Sequence, residues 1–273
     1  MLEVGPGLGV LTERLLDRCG FVHSVELDPR LGAMLTGEFE DRKNFHLVLA
    51  DAVRFDYLSL EPPPVKFVAN LPYSVAAPLV MTSLRLPSIE SWCLMLQAEV
   101  AERLFAPVGS ANYGGISVMV QLLAKKVSSR PVPATVFYPR PRVRSSLLAF
   151  RRREAAWSGS GRSAAGRTGE DAAAYRSGYT ARHFDQVREI VYACFAQRRK
   201  KMLNSLADAE AGVLPEAIVR EPLAARKKML AAVLDAAGIP AGVRAQELAP
   251  EEFARLAEML EDKKNFNKAT NVP

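Results

Sequence analysis

A glycine-rich run, Gly5-Pro6-Gly7-Leu8-Gly9, follows the apolar segment Leu2-Glu3-Val4 and precedes an apolar-periodic stretch that begins at Val10. Glycine lets a backbone turn sharply and approach a ligand with no Cβ in the way. A G-x-G-x-G run between a strand and a helix is a cradle of the nucleotide-binding type, one residue different from the dinucleotide fingerprint. Glu26 lies 21 residues beyond Gly5 and ends the next apolar run, where a carboxylate can accept the hydroxyl hydrogens of a ribose. Asp51 ends the run after that, placed to accept from an adenine amino group. Taken singly, the three features also fit a tight turn, a solvated strand-end acid and a helix N-cap. Their order at three successive strand ends favours one ligand site, with Gly5, Gly7, Glu26 and Asp51 as cofactor-binding residues.

The elements that must hold these residues alternate. Strands are expected at 2–4, 21–27, 45–49 and 65–69, the last ended by Asn70, with helices at 10–19 and 30–39. Strands separated by helices form parallel β-α-β units and a doubly wound sheet, and such sheets bind ligands at the carboxyl ends of their strands. Residues 154–181 are mostly Ala, Gly, Ser, Arg and Thr, the composition of a flexible linker. From His183 the apolar spacing turns helical, with a last helix over 250–260 and a polar tail, expected to be disordered, over 263–273. The expected division is a sheet domain at 1–153, a linker at 154–181, a small all-helical domain at 182–262 and the tail.

Charge is uneven along the chain. Of 36 Lys and Arg against 30 Asp and Glu, residues 1–139 hold 12 and 14, and residues 140–273 hold 24 and 16, so the net +6 resides in the second half. Arg140, Arg142, Arg144 and 151–153 form six arginines with no acid between them, and Arg198-Arg199-Lys200-Lys201 adds four cations. Such clusters suit a polyanion partner such as nucleic acid, and equally a solvated face. The three cysteines (Cys19, Cys93, Cys194) and three histidines have no metal-ligand spacing, so no metal site and no disulfide framework is expected. No apolar run approaches the roughly 18–20 residues of a membrane helix, and residues 1–3 show no leader pattern. A cytoplasmic protein with no membrane association is expected, or an organellar one if a targeting segment precedes the chain.

Asn70-Leu71-Pro72-Tyr73 resembles the Asn-(Leu/Pro)-Pro-Tyr signature of methyltransferases that act on exocyclic amino groups of nucleic-acid bases. Further segments are similar to the ribosomal RNA adenine dimethylases, a family of class I methyltransferases with a Rossmann-like fold. They are Gln97-Ala98-Glu99-Val100-Ala101-Glu102-Arg103, Tyr113-Gly114-Gly115-Ile116-Ser117-Val118 and Phe137-Tyr138-Pro139-Arg140-Pro141-Arg142-Val143-Arg144-Ser145. Phe195-Ala196-Gln197-Arg198-Arg199-Lys200-Lys201 with Asn204 and Leu206 resembles the small-subunit, KsgA-like branch. The resemblance implies S-adenosylmethionine as cofactor and adenosines of small-subunit ribosomal RNA, in the pre-ribosomal small subunit, as substrate. It assigns Asn70, Leu71, Pro72, Tyr73 and Phe137 to catalysis, with Asn70 also at the cofactor. Asn70 and the Leu71 carbonyl would accept the N6 hydrogens, Pro72 would stiffen the turn, and Tyr73 and Phe137 would stack on the two faces of an extruded base. RNA is expected on Arg140, Arg142, Arg144, Arg198, Arg199, Lys200 and Lys201, and the protein is expected to be a monomer.

The family normally carries a few dozen residues before the glycine motif, including a Gln-Asn-Phe-Leu-like segment that covers donor and base. By that comparison the chain is expected to be N-terminally truncated, starting inside its first strand, and slow in catalysis. The alternatives are a catalytically silent RNA-binding relative acting in ribosome assembly or transcription, a large-subunit rRNA adenine methyltransferase, and a methyltransferase of this fold acting on DNA or on a protein amide.

Overall fold

The computed structural model describes residues 1–138, 140–141, 143–153, 181–209 and 212–261. Arg142, residues 154–180 of the expected linker and the expected tail lie outside the described residues. The chain divides into two compact units, Met1–Glu102 with Ala124–Arg153, and Arg103–Leu123 with Glu154–Pro273.

The first unit begins β1 (Leu2–Val4), α1 (Val10–Leu16), β2 (Val22–Glu26), α2 (Pro29–Glu38), β3 (Phe45–Leu49), β4 (Lys66–Asn70), α3 (Ala76–Leu84) and β5 (Ser91–Gln97). After α4 (Ala98–Leu104) and α5 (Gly115–Leu123), β6 (Ala124–Val132) and β7 (Ser145–Arg152) complete the sheet. The strand order is β3-β2-β1-β4-β5-β7-β6. β1 to β5 run parallel and β7 is antiparallel between β5 and β6. This is the Rossmann-like class I methyltransferase arrangement. The chain leaves β1 for β2 on one side and returns to β4 on the other, so β1 and β4 flank the topological switch point where such sheets open a crevice.

β1 and β2 are buried at every position, as central parallel strands covered on both faces must be. Leu15, Leu16, Val22, Leu35 and Phe39 form a core cluster between β2 and the helices on that side. Burial of each stabilises the fold by about 1.5–3 kcal/mol. Asp28 caps α2, accepting from the Arg30 amide, with Pro29 at the first helical position, a start signal that the sequence carries openly. Farther along, Trp92 stacks on Phe150 with ring centroids 4.8 Å apart, and its indole N–H donates to Ser83 Oγ. Those contacts tie α3, β5 and β7 together.

The second unit gathers α5, α6 (Ala181–Phe195), α7 (Met202–Ala207), α8 (Glu216–Val219), α9 (Leu223–Ala236) and α10 (Pro250–Glu261). Residues 103–123 lie inside the expected sheet domain but belong to this unit. α5 is buried at seven of nine positions, so it needs apolar neighbours on nearly every side. The Tyr113 hydroxyl donates to the Leu248 carbonyl at 2.9 Å, and Gln121 donates to the Ala106 carbonyl. Gln97, the first residue of the motif that resembles the family's, is the end of β5, where Trp92, Leu94 and Leu96 alternate inward.

Candidate active site

The loop after β1 is held in shape by three glycines with φ of 68°, 59° and 80° at Gly5, Gly7 and Gly9, a left-handed backbone that L side chains rarely adopt. Each position has its own surroundings. A Cβ on Gly9 would lie 2.9 Å from both Leu35 and Phe39 side-chain carbons, whereas one on Gly7 would meet nothing within 4 Å. Gly7 therefore presents bare backbone to open space, the feature a nucleoside-type cofactor requires of a cradle.

Glu26, at the end of β2, is buried and held by three backbone amides. Its Oε1 accepts from Leu27 and Asp28 at 2.8 and 2.9 Å, and its Oε2 accepts more distantly from Gly7 at 3.4 Å. A carboxylate has about four acceptor positions, so Oε2 is the oxygen with acceptor capacity to spare. Glu3, part of the glycine motif but given no role by sequence reasoning, is equally buried. Its Oε2 accepts from Thr12 Oγ1 at 2.8 Å and from Ser24 Oγ at 2.7 Å, while Oε1 is buried without a partner. The Glu3 carboxyl thus pins α1 and β2 to β1, just before the glycine loop, and burial raises its pKa against the opposing pull of the two hydroxyls. The signal was present in sequence: an acid inside an apolar strand.

Asp51 lies two residues beyond β3, exposed, accepting from the Val53 amide at 2.9 Å and 3.8 Å from Arg54. It forms a local turn and retains acceptor positions. Asn70 is the exposed last residue of β4, paired in register with Met95. Leu71 is buried and donates to the Met95 carbonyl. Pro72 lies beside the glycine loop: a Cβ on Gly5 would lie 3.4 Å from Pro72 Cδ, so the loop and the Asn70–Tyr73 turn are neighbours. Tyr73 is partly buried, its hydroxyl 2.6 Å from Ser145 Oγ at the start of β7. Ser145 was quoted only as the end of a motif, and a contact spanning 72 residues leaves no local signal. Phe137 is partly buried, directly after a turn of 3₁₀ helix at Ala134–Val136.

Arg140 and Arg144 are exposed, and the Arg144 carbonyl accepts from Ala98. In the helical unit Arg198 donates to the Ala111 and Tyr113 carbonyls at 2.9 and 2.7 Å, and Lys200 pairs with Asp208 at 2.9 Å. Arg199 and Lys201 are exposed.

Residues 1–160 match the family model described as Ribosomal RNA adenine dimethylase. The chain belongs to the ribosomal RNA adenine dimethylase family. Among curated members of the dimethylase family, the Ribosomal RNA small subunit methyltransferase A of Rubrobacter xylanophilus is 38% identical over 94% of this chain and 83% of its own length. That of Kineococcus radiotolerans is 40% identical over 94% and 75%. Among solved structures, a dimethyladenosine transferase from Plasmodium falciparum superposes with a TM-score of 0.67 at 25% identity, covering 97% of this chain and 90% of the other. The 23S rRNA methyltransferase ErmE gives 0.55 at 28%, covering 96% and 90%. No helix among the described residues is long and apolar enough to cross a membrane.

Proposed function

We propose that this dimethylase transfers methyl groups from S-adenosylmethionine to N6 of adenosines in small-subunit ribosomal RNA, acting as a monomer on the pre-ribosomal small subunit in the cytoplasm. The observation that carries the reading is the proximity of Gly5 and Pro72, where an added Cβ on Gly5 would lie 3.4 Å from Pro72 Cδ, so that a cofactor-type cradle stands beside the Asn70–Tyr73 turn. S-adenosylmethionine supplies a methyl group already bound to a cationic sulfur, so no strong base is needed. Gly5 and Gly7 bring backbone to the donor, and Glu26 Oε2 and Asp51 accept from its ribose and adenine.

The adenine N6 lone pair is delocalised into its ring and is a poor nucleophile. In the first transfer Asn70 Oδ1 and the Leu71 carbonyl accept the two N6 hydrogens, and in the second the one that remains, turning the lone pair toward the methyl group; the N6 proton displaced in each transfer passes to solvent. Tyr73 and Phe137 hold the extruded base between them. Catalysis rests on positioning and on fixed dipoles. Arg140, Arg144, Arg199 and Lys201 contact phosphates, which supply affinity while the extruded base supplies selectivity.

The test uses small ribosomal subunits lacking adenine dimethylation, labelled S-adenosylmethionine and the purified chain, with N6,N6-dimethyladenosine read after digestion to nucleosides. The parent protein forms it, and Asn70→Ala forms it about 100-fold more slowly or worse. Equal rates in the two proteins would overturn the assignment.

A further inference from the structure

The helical unit contains a cavity of about 400 Å³ beside α6 and α7 that the methyl-transfer chemistry does not use. This is within the roughly 300–1,000 Å³ of small-molecule pockets. Tyr192, Ala196 and Ala209 supply an aromatic and small-residue lining, and Arg188, Glu189, Gln197 and Asp208 add charged and polar groups. Ser205 also lines it, is 4% exposed, and has a buried hydroxyl with no hydrogen-bond partner. Native folds rarely leave such a group unpaired, and in a residue that lines a cavity it marks a place where a small side-chain shift would give it an incoming partner. Tyr192 is fixed without being buried. A Cβ on Gly115 would lie 3.1 Å from Tyr192 Cε1, yet the residue is 46% exposed. Gln197 leads directly into the Arg198–Lys201 run, where Arg199 and Lys201 are exposed and have no ion-pair partner among the described residues.

We infer that this cavity receives an unpaired nucleobase of RNA, stacked on Tyr192, with its edge on the Ser205 hydroxyl and the Gln197 amide and its phosphates on Arg199 and Lys201. Single-stranded RNA is recognised by stacking on an aromatic ring and by hydrogen bonds to exposed base edges, and the cavity supplies both, with exposed cations two and four residues beyond Gln197 of its lining. The inference rests on the reading that the chain binds ribosomal RNA.

The experiment measures fluorescence anisotropy of the full chain with a labelled single-stranded ten-nucleotide oligouridylate and with an RNA duplex of equal length, over a salt series. Tyr192→Ala lowers single-strand affinity roughly 5- to 150-fold and leaves the salt slope unchanged, because stacking is lost and no phosphate contact is. Tyr192→Phe keeps the stack and binds like the parent. Ser205→Ala lowers single-strand affinity roughly 2- to 10-fold while Tm holds or rises, since an unpaired hydroxyl has left the core. Duplex affinity is unchanged in all three. Parental single-strand affinity in Tyr192→Ala overturns the base pocket, and so does a Ser205→Ala protein with lowered Tm and parental affinity. Arg199→Ala/Lys201→Ala separates the two levels of the argument. If that variant also keeps the parent's affinity and slope, the RNA surface itself is refuted.

Discussion

The Tyr73 hydroxyl and Ser145 Oγ lie 2.6 Å apart, joining the turn after β4 to the first residue of β7. The base-stacking role proposed for Tyr73 requires its ring to hold one orientation, and Tyr73 is only partly buried, so packing alone does not fix it. The hydrogen bond does. Ser145→Ala is expected to lower kcat/KM about 3- to 10-fold, corresponding to one neutral hydrogen bond. Tyr73→Phe is expected to do the same, and the double variant to be no worse than either single one. Additive losses in that cycle would show that the two hydroxyls act separately.

Glu26 presents a different question, because its carboxylate is already engaged by three amides. Glu26→Gln keeps the shape and one acceptor oxygen, so the loop stays folded while the charge is lost. S-adenosylmethionine binding, read by calorimetry, is expected to weaken by about 1.5–3 kcal/mol, the range of a hydrogen bond to a charged group. Unchanged affinity would remove Glu26 from the donor site.

The glycine loop separates folding from binding within three residues. Gly9→Ala forces a Cβ to 2.9 Å from Leu35 and Phe39 at a φ of 80°, and should destabilise the protein by about 1–3 kcal/mol. Gly7→Ala meets no neighbour and should cost about 1 kcal/mol of backbone strain, but its Cβ enters the space proposed for the donor. Chemical denaturation and donor titration on both variants check this. The expectation fails if Gly7→Ala binds the donor normally.

How far the site can be read from sequence follows from these contacts. Glu26 and Asn70 are legible because a parallel strand ends where apolar residues give way to a polar one, and both end a strand as expected. Ser145 is not, since its partner is distant in sequence and the pairing depends on β7 running antiparallel to β5. Strand β6 was missed for another reason. It is an edge strand whose sequence, AKKVSSRPV, is largely exposed and polar, a composition that guards sheet edges and removes the apolar alternation used to find strands. The affiliation of α5 is hidden as well, because a helix buried at seven of nine positions has no polar face to orient it.

The cations of 198–201 are expected to divide. Arg198 spends its guanidinium on the exposed Ala111 and part-buried Tyr113 carbonyls, and Arg198→Ala should lower stability by about 0.5–1.5 kcal/mol as water takes over part of that bonding. Arg199 is exposed, and Arg199→Ala should leave Tm unchanged while flattening the salt dependence of RNA binding by about one unit of slope. Thermal melts and salt titrations on each variant distinguish them, and a stable Arg198→Ala protein would contradict the structural role.

Glu258 on α10 is partly buried and its Oε1 has no hydrogen-bond partner. Burial pushes its pKa from 4.5 up to about 7, with Arg255 pulling in the opposite direction. Because the folded value lies above the unfolded one, the neutral form is the one that suits the fold. Its contribution is fully present below about pH 4.5 and is lost as pH rises through about 7. Glu258→Gln is neutral at every pH, so its advantage over the parent should be absent in acid and grow across this window. At 1.36 kcal/mol per pKa unit, reduced because solvent reaches the group, the gain is on the order of 1–3 kcal/mol at pH 8. Urea unfolding of both proteins from pH 4.5 to 8 measures it. Two stability curves that run parallel over that range would mean that Glu258 ionises freely in the folded protein.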